Sequence, residues 1–212
     1  MTEGLTISRP MPPIEVVEGF SAAFIPAPEV DEWLRATFLD EKSPLYNVEH
    51  DHLNSANLGI LWTNVENIRQ TRRVVGMVEL PKPHPALGKW AKARWEHQMW
   101  QWFGDVELDF LITLNATYCA GAAHIEFCST VDHELYHCAH KLDEYGIPAF
   151  NKRTGKPKFA LRGHDVEEFV GIWRRYGPGA AAGDSVALAA AAQGKPEIGT
   201  VSVATMCGNC MS

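Results

Sequence analysis

His133, Glu134 and His137 stand in the order H-E-x-x-H, residue types and a spacing that can hold a metal ion beside a carboxylate. One turn of helix separates positions i and i+4, so two imidazoles project side by side and can grip one divalent cation. Glu134 falls next to that cation without having to bind it. A zinc ion with three protein ligands keeps a fourth position for water and lowers its pKa from about 15.7 to about 7. A glutamate so placed takes the proton and later hands it to a leaving amine, a role worth roughly 10²–10⁴ in rate. The expected chemistry is hydrolysis by metal-activated water, with His133 and His137 as ligands of one zinc ion and Glu134 as general base. A bare H-E-x-x-H also occurs as a solvated helix face whose histidines bind nothing. Its position within a helical pattern, with an apolar stripe on the opposite side, favours the metal.

A third ligand is needed, and His140, His164 and the carboxylates of Glu167 and Glu168 are the candidates. His140 continues the same helical pattern, but seven residues from His133 is about 10.5 Å of rise, too far for one ion. Glu168 has another use as the capping-box partner of Asp165, whereas Glu167 has none. His164, just ahead of that cap, stands first. Glu167 and Glu168 stay open behind it, followed by Asp165 or a residue of the N-terminal stretch. Tyr136 and Tyr145 are candidates for stabilising an oxyanion on proximity in sequence alone.

The elements that must position these groups follow from periodicity. Cys128, Val131, Leu135, Cys138 and Leu142 recur at steps of three and four, which predicts a helix over 122–144 with the histidines on its far face. Short apolar runs at 57–63 and 72–80 predict two strands that could pair, and alternation over 106–118 predicts a third. Val30, Trp33, Leu34 and Phe38 predict a short helix over 28–39. Leu87, Trp90, Trp95, Met99, Trp102 and Phe103 predict another over 87–103, stopped by Gly104. Its tryptophans are expected in a core; a substrate groove or a membrane-surface stripe is the other use of such a face. Residues 149–161 read as a hairpin-like excursion with its turn at 152–155. A last helix runs from the Asp165 cap to Gly177-Pro178.

The chain has 212 residues, enough for one domain with tails. The expected division is an extended, proline-containing leader at 1–27, a catalytic domain at 28–178 and a flexible Ala/Gly-rich tail at 179–212. A net charge of −7 argues against nucleic acid as the main partner. No window holds 18 uninterrupted apolar residues and no export signal opens the chain, so no membrane partner and a cytoplasmic location are expected. Five cysteines, an odd number without a framework, read as reduced thiols, the Cys207/Cys210 pair included. Glu49-His50-Asp51-His52 reads as an exposed polar turn, and Arg69, Arg72 and Arg73 as a solvated basic cluster.

Three blocks carry a resemblance: Phe110-Leu111-Ile112, then Val131-Asp132-His133-Glu134-Leu135-Tyr136-His137-Cys138, then Arg162-Gly163-His164-Asp165-Val166-Glu167-Glu168-Phe169. Over residues 57–177 the chain resembles the phage metallopeptidases, small zincin-like proteins. The Gly163-His164 block is similar to the SprT-like metalloproteases, in which a histidine so placed is the third zinc ligand. The resemblance implies a zinc-dependent peptide hydrolase encoded by a phage or prophage, acting on a protein or peptide in the host cytoplasm. The fold expected is α+β: a small zincin-like domain whose short mixed or antiparallel sheet packs on the H-E-x-x-H helix and a following C-terminal helix. The rival expectation is a catalytically silent zinc-containing protein that docks on a host or virion partner. A metal hydrolase acting on a non-peptide bond is a third.

Overall fold

The computed structural model describes residues 8–69, 72–164 and 169–177, together with residue 193. In chain order come α1 (Ile14–Val17), β1 (Phe24–Pro26), α2 (Pro28–Leu34) continued by a π-helical turn (Arg35–Leu39), and a 3-10 helix (Val48–Ser55). Then follow β2 (Leu58–Thr63), β3 (Ile68–Arg69), β4 (Arg72–Arg73), β5 (Gly76–Glu79), α3 (Lys89–Phe103), β6 (Phe110–Asn115) and α4 (Ala116–Gly121). The chain continues through α5 (His124–His137), β7 (Cys138–His140), β8 (Phe159–Leu161) and α6 (Val170–Tyr176). The architecture is α+β around a mixed four-stranded sheet of order β1-β2-β6-β5.

β2 and β6 are parallel, from Leu58 opposite Phe110 to Thr63 opposite Asn115, while β1 and β5 pair antiparallel on the outside. The segments at 57–63 and 72–80 therefore do not pair with each other. The later strand β6 separates them, because its nearly unbroken apolar run is buried on both faces and suits the middle of a sheet. The second segment also divides: β4 forms a small hairpin with β3, and only β5 enters the main sheet.

Side chains alternate across a sheet. One face carries Ile60, Trp62, Val78, Phe110, Ile112 and Leu114, which pack on Val30, Trp33 and Leu34 of α2 and on Phe127, Cys128, Val131 and Leu135 of α5. Phe127 is central, its ring 5.1 Å from that of Trp33 and 6.2 Å from that of Trp62. α3 lies over the other face, where Gly59 leaves room for Phe103 and the following Leu108; an added Cβ would meet both.

Three helical expectations change. α3 forms with its predicted stop, Gly104 at φ 65°, yet none of its residues is buried, and Trp90 and Trp100 are exposed. It is not a core helix. The segment expected to be helical over 122–144 stops at His137, because Cys138–His140 pairs antiparallel with Phe159–Leu161. His140 thus sits on a strand. The far face of α5 is also not solvated: of residues 127–137, only His133 is not buried. Tyr145-Gly146 turns the loop between β7 and β8 instead of ending a helix, with Gly146 at φ 76°.

The stretch expected as an extended leader carries α1 and the edge strand β1. It is tied further by Arg9, whose guanidinium donates to the carbonyls of Cys119 and Ala122, each at 2.6 Å. Residue 27 therefore follows directly on a sheet strand. The tail at 179–212, Cys207 and Cys210 included, lies outside the described residues apart from residue 193. Among the described residues no helix is long and apolar enough to cross a membrane.

Candidate metal centre

α5 delivers His133 and His137 from one turn at its C-terminal end, where a helix must also dispose of its last carbonyls. The β7–β8 hairpin meets that need and sets the site. Arg162, the residue after β8, donates its N–H to the carbonyl of His137 at 2.9 Å. Its own carbonyl lies 2.8 Å from His137 Nδ1. A carbonyl can only accept, so Nδ1 carries a proton, and in the neutral ring Nε2 keeps its lone pair. Two residues further on, His164 arrives beside both helix histidines.

The ligand atoms of His133, His137 and His164 all lie within 4.8 Å of one another. His133 Nε2 and His164 Nε2 are 3.3 Å apart. Two nitrogens each about 2.05 Å from one zinc at a tetrahedral angle stand about 3.3 Å apart, so this pair fits a shared ion. The three rings are 4.9–5.1 Å apart between centroids. The buried ring of Phe169 packs edge-on to all of them at 4.6–5.4 Å. Aromatic packing of this kind fixes ring orientation and keeps part of the three-histidine group out of water.

Glu134 is buried, and its carboxylate lies against the backbone of β5 at Gly76, where a Cβ would collide with Oε1, Cδ and Cγ. Gly76 is therefore the reason the carboxylate fits between α5 and the sheet. Glu167 and Glu168, together with the expected Asp165 cap, lie outside the described residues.

Sequence reasoning missed a buried polar group behind the histidines. His50, expected on an exposed turn, is 1% exposed on the 3-10 helix, with Nε2 2.7 Å from Asp132 Oδ1. Arg175 of α6 brings Nε to 2.7 Å from the other oxygen, an ion pair by distance whose N–H is not aligned for a hydrogen bond. Asn47 donates to Asp132 Oδ1 at 3.2 Å and to the Tyr136 hydroxyl at 3.1 Å. Burial disfavours the Asp132 carboxylate, but the hydrogen bond and charge of His50 and the charge of Arg175 outweigh it, holding its pKa below the ordinary value. The only sequence signal was an aspartate inside an otherwise buried helix, next to the first histidine.

The remaining candidates are placed elsewhere. Tyr145 is 78% exposed on the β7–β8 loop, and the Tyr136 hydroxyl is engaged by Asn47 and pressed against Gly171. Burial raises the pKa of that hydroxyl far above its usual value. Neither tyrosine is arranged to stabilise an oxyanion. His140 stacks on Phe159 at 5.5 Å, and His52 bonds the carbonyl of Cys138. The described cysteines, Cys119, Cys128 and Cys138, are buried free thiols; burial pushes the first two up to about 12 and the third up as well. Protonated thiols of this kind are poor nucleophiles and poor ligands. Arg69 and Arg73 of the β3–β4 hairpin are half-buried, and Arg73 reaches Asn115 at 3.5 Å.

A small α+β domain that gathers three histidines at the end of an H-E-x-x-H helix has the make-up of a metallopeptidase domain. A family model described as "Putative phage metallopeptidase" matches residues 31–193, well over half of the chain, and the chain belongs to that family. Membership implies a metal ion and a protein or peptide substrate. No curated protein and no solved structure matches the chain.

Proposed function

We propose that the protein is a zinc-dependent metallopeptidase in which His133, His137 and His164 hold one zinc ion and Glu134 is the general base. The convergence of the three histidine ligand atoms within 4.8 Å of one another carries this reading. It is supported by the donor set, three imidazoles with His137 locked in the tautomer that leaves Nε2 available. When bound, zinc supplies a Lewis acid and a water acidic enough to ionise near neutral pH.

The chain's own residues supply the rest. Glu134 takes a proton from the attacking water and returns it to the amide nitrogen as the C–N bond breaks, so that the departing group leaves as an amine. Gly76 gives the carboxylate room, and the Arg162 backbone holds the His137 ring against reorientation. The three described cysteines are unbridged, which suits action in the reducing cytoplasm of an infected host.

The test is Glu134→Gln. With a mixed peptide library read by mass spectrometry, the wild type is expected to cut and the variant to lose roughly 10²–10⁴ in rate while keeping its metal. Unchanged cutting overturns the general base. A wild type that binds metal but cuts no peptide overturns the peptidase and leaves a docking protein or a metal hydrolase of non-peptide bonds.

A further inference from the structure

We propose that one face of the β7–β8 ribbon is the substrate-recognition strip of the histidine group, taking an extended peptide with acidic side chains about four residues from the bond cut. This rests on the peptidase reading and names its substrate class. The register defines the strip. Cys138 pairs with Leu161, Ala139 with Ala160 and His140 with Phe159. The same register sets Arg162 opposite His137, where the Arg162 N–H donates to the His137 carbonyl. It also sets Lys141 opposite Lys158, where the Lys141 N–H donates to the Lys158 carbonyl at 2.8 Å. Side chains alternate along a strand, so Ala139 and Lys141 share one face with Arg162, Ala160 and Lys158, beginning at the His137–Arg162 pair. The other face is occupied: Phe159 stacks on His140 and lies 5.3 Å from the ring of Phe110 in the main sheet.

Two half-buried alanines make a low floor, and the exposed cations Arg162, Lys141 and Lys158 stand at its two ends. Successive rows on one face lie about 6.8 Å apart, so the lysines are about 14 Å from the His137 row, the length of about four extended residues. Arg162 marks the near end, its guanidinium 5.3 Å from the centre of the Phe169 ring that packs on all three histidines. The lysine pair, not net charge, selects the ligand. Like charges directly opposite across an antiparallel pair destabilise it, and a peptide carboxylate between Lys141 and Lys158 removes that cost. Among the described residues neither lysine is in an ion pair with a carboxylate. The acidic side chains of the adjoining loop and 3-10 helix have other uses. Asp143 accepts from the N–H groups of Tyr145 and Ile147 in its own loop, Asp51 accepts from the Tyr46 hydroxyl, and Glu49 faces Arg174 at 3.6 Å. Glu144 is exposed in the loop beyond Lys141, and Asp165, Glu167 and Glu168 come only after His164 in sequence. Between the histidine and the lysines the strip offers alanine methyl groups, with no ring on which a nucleic-acid base could stack.

The test separates binding at the strip from the chemistry. Fluorescence polarisation of the full chain carrying Glu134→Gln is measured with a labelled glutamate-rich decapeptide and with the same peptide carrying glutamine for glutamate. The acidic peptide is expected to bind about tenfold more tightly, and adding Lys141→Ala/Lys158→Ala is expected to erase the difference. Both lysines are exposed and repel across the ribbon, so the lysine variant should melt no lower than its parent; Lys158→Gln alone repeats the measurement if it does. In a mixed peptide library, wild-type cut sites should be enriched in aspartate and glutamate about four residues from the cut, and the enrichment should vanish with the lysines. Equal affinity for the two peptides overturns the proposal, as does a preference that survives loss of both lysines or a set of cuts without acidic enrichment. An oligonucleotide bound more tightly than the acidic peptide at the same salt assigns the strip to nucleic acid instead. Lysine-dependent binding of the acidic peptide by a wild type that cuts nothing leaves the strip standing as a peptide-binding surface and overturns only the peptidase reading.

Discussion

Individual side chains here are held by backbone as much as by each other. His137 is gripped twice by one residue, its carbonyl and its Nδ1 both bonded to the backbone of Arg162. Glu134 owes its place to a missing side chain at Gly76. That gives a prediction about Gly76→Ala. The displaced atoms run from Cγ to Oε1 of a buried glutamate, so stability should fall by about 1–3 kcal/mol. Peptide cleavage by the folded variant should fall by about 10²-fold, since a base shifted by about 1 Å no longer meets its proton. Melting curves and rates measured on the same preparation check both halves. Gly171 is a second close approach. A Cβ there would strike the hydroxyl and ring of Tyr136, which cannot step aside in a packed core. Gly171→Ala is expected to cost about 1–3 kcal/mol in chemical denaturation.

Between elements, α5 is the hub, joined to the sheet by apolar packing and to the 3-10 helix and α6 by the Asp132 cluster. Arg175 also donates to the carbonyl of Leu45 at 2.7 Å, so α6 is fastened to the loop before the 3-10 helix as well. Replacing Arg175 with Met leaves Asp132 with one cation-forming partner fewer in a buried site, and should cost about 3–5 kcal/mol in urea unfolding. A value near zero would mean that the ion pair contributes only position. The same scale explains what the sequence could and could not reveal. Helical period located α2, α3 and the start of α5 because it is local. The end of α5 was hidden, since β7 pairs with a strand about 20 residues on, and non-local pairing overrides an apolar repeat. The inward face of α3 was ambiguous because tryptophans occupy both sides of it. His50 looked like part of a polar turn because its partner Asp132 is 82 residues away. The H-E-x-x-H residues were readable at once, as i, i+4 spacing is geometry within one helix. His164 could be ranked but not placed, because the hairpin that returns it to α5 is a tertiary feature.

At the scale of the whole molecule, the sheet separates two surfaces, the histidine group on the α5 side and the exposed tryptophans of α3 on the other. The histidines also join distant parts of the chain, two from α5 and one from the segment after β8. An ion held by all three binds the folded chain and not the unfolded one, so saturating zinc at about 100-fold over its dissociation constant should stabilise by about 2.7 kcal/mol. A chelator should accordingly lower the melting temperature of the wild type and leave that of His164→Ala unmoved. The most direct measurement is the metal content of the purified full chain beside His133→Ala, His164→Ala, Glu167→Ala and Glu168→Ala. The account predicts one zinc per wild-type chain, little or none in the two histidine variants, and a full complement in the two glutamate variants. Zinc retained by His164→Ala, or lost from Glu167→Ala or Glu168→Ala instead, would contradict it.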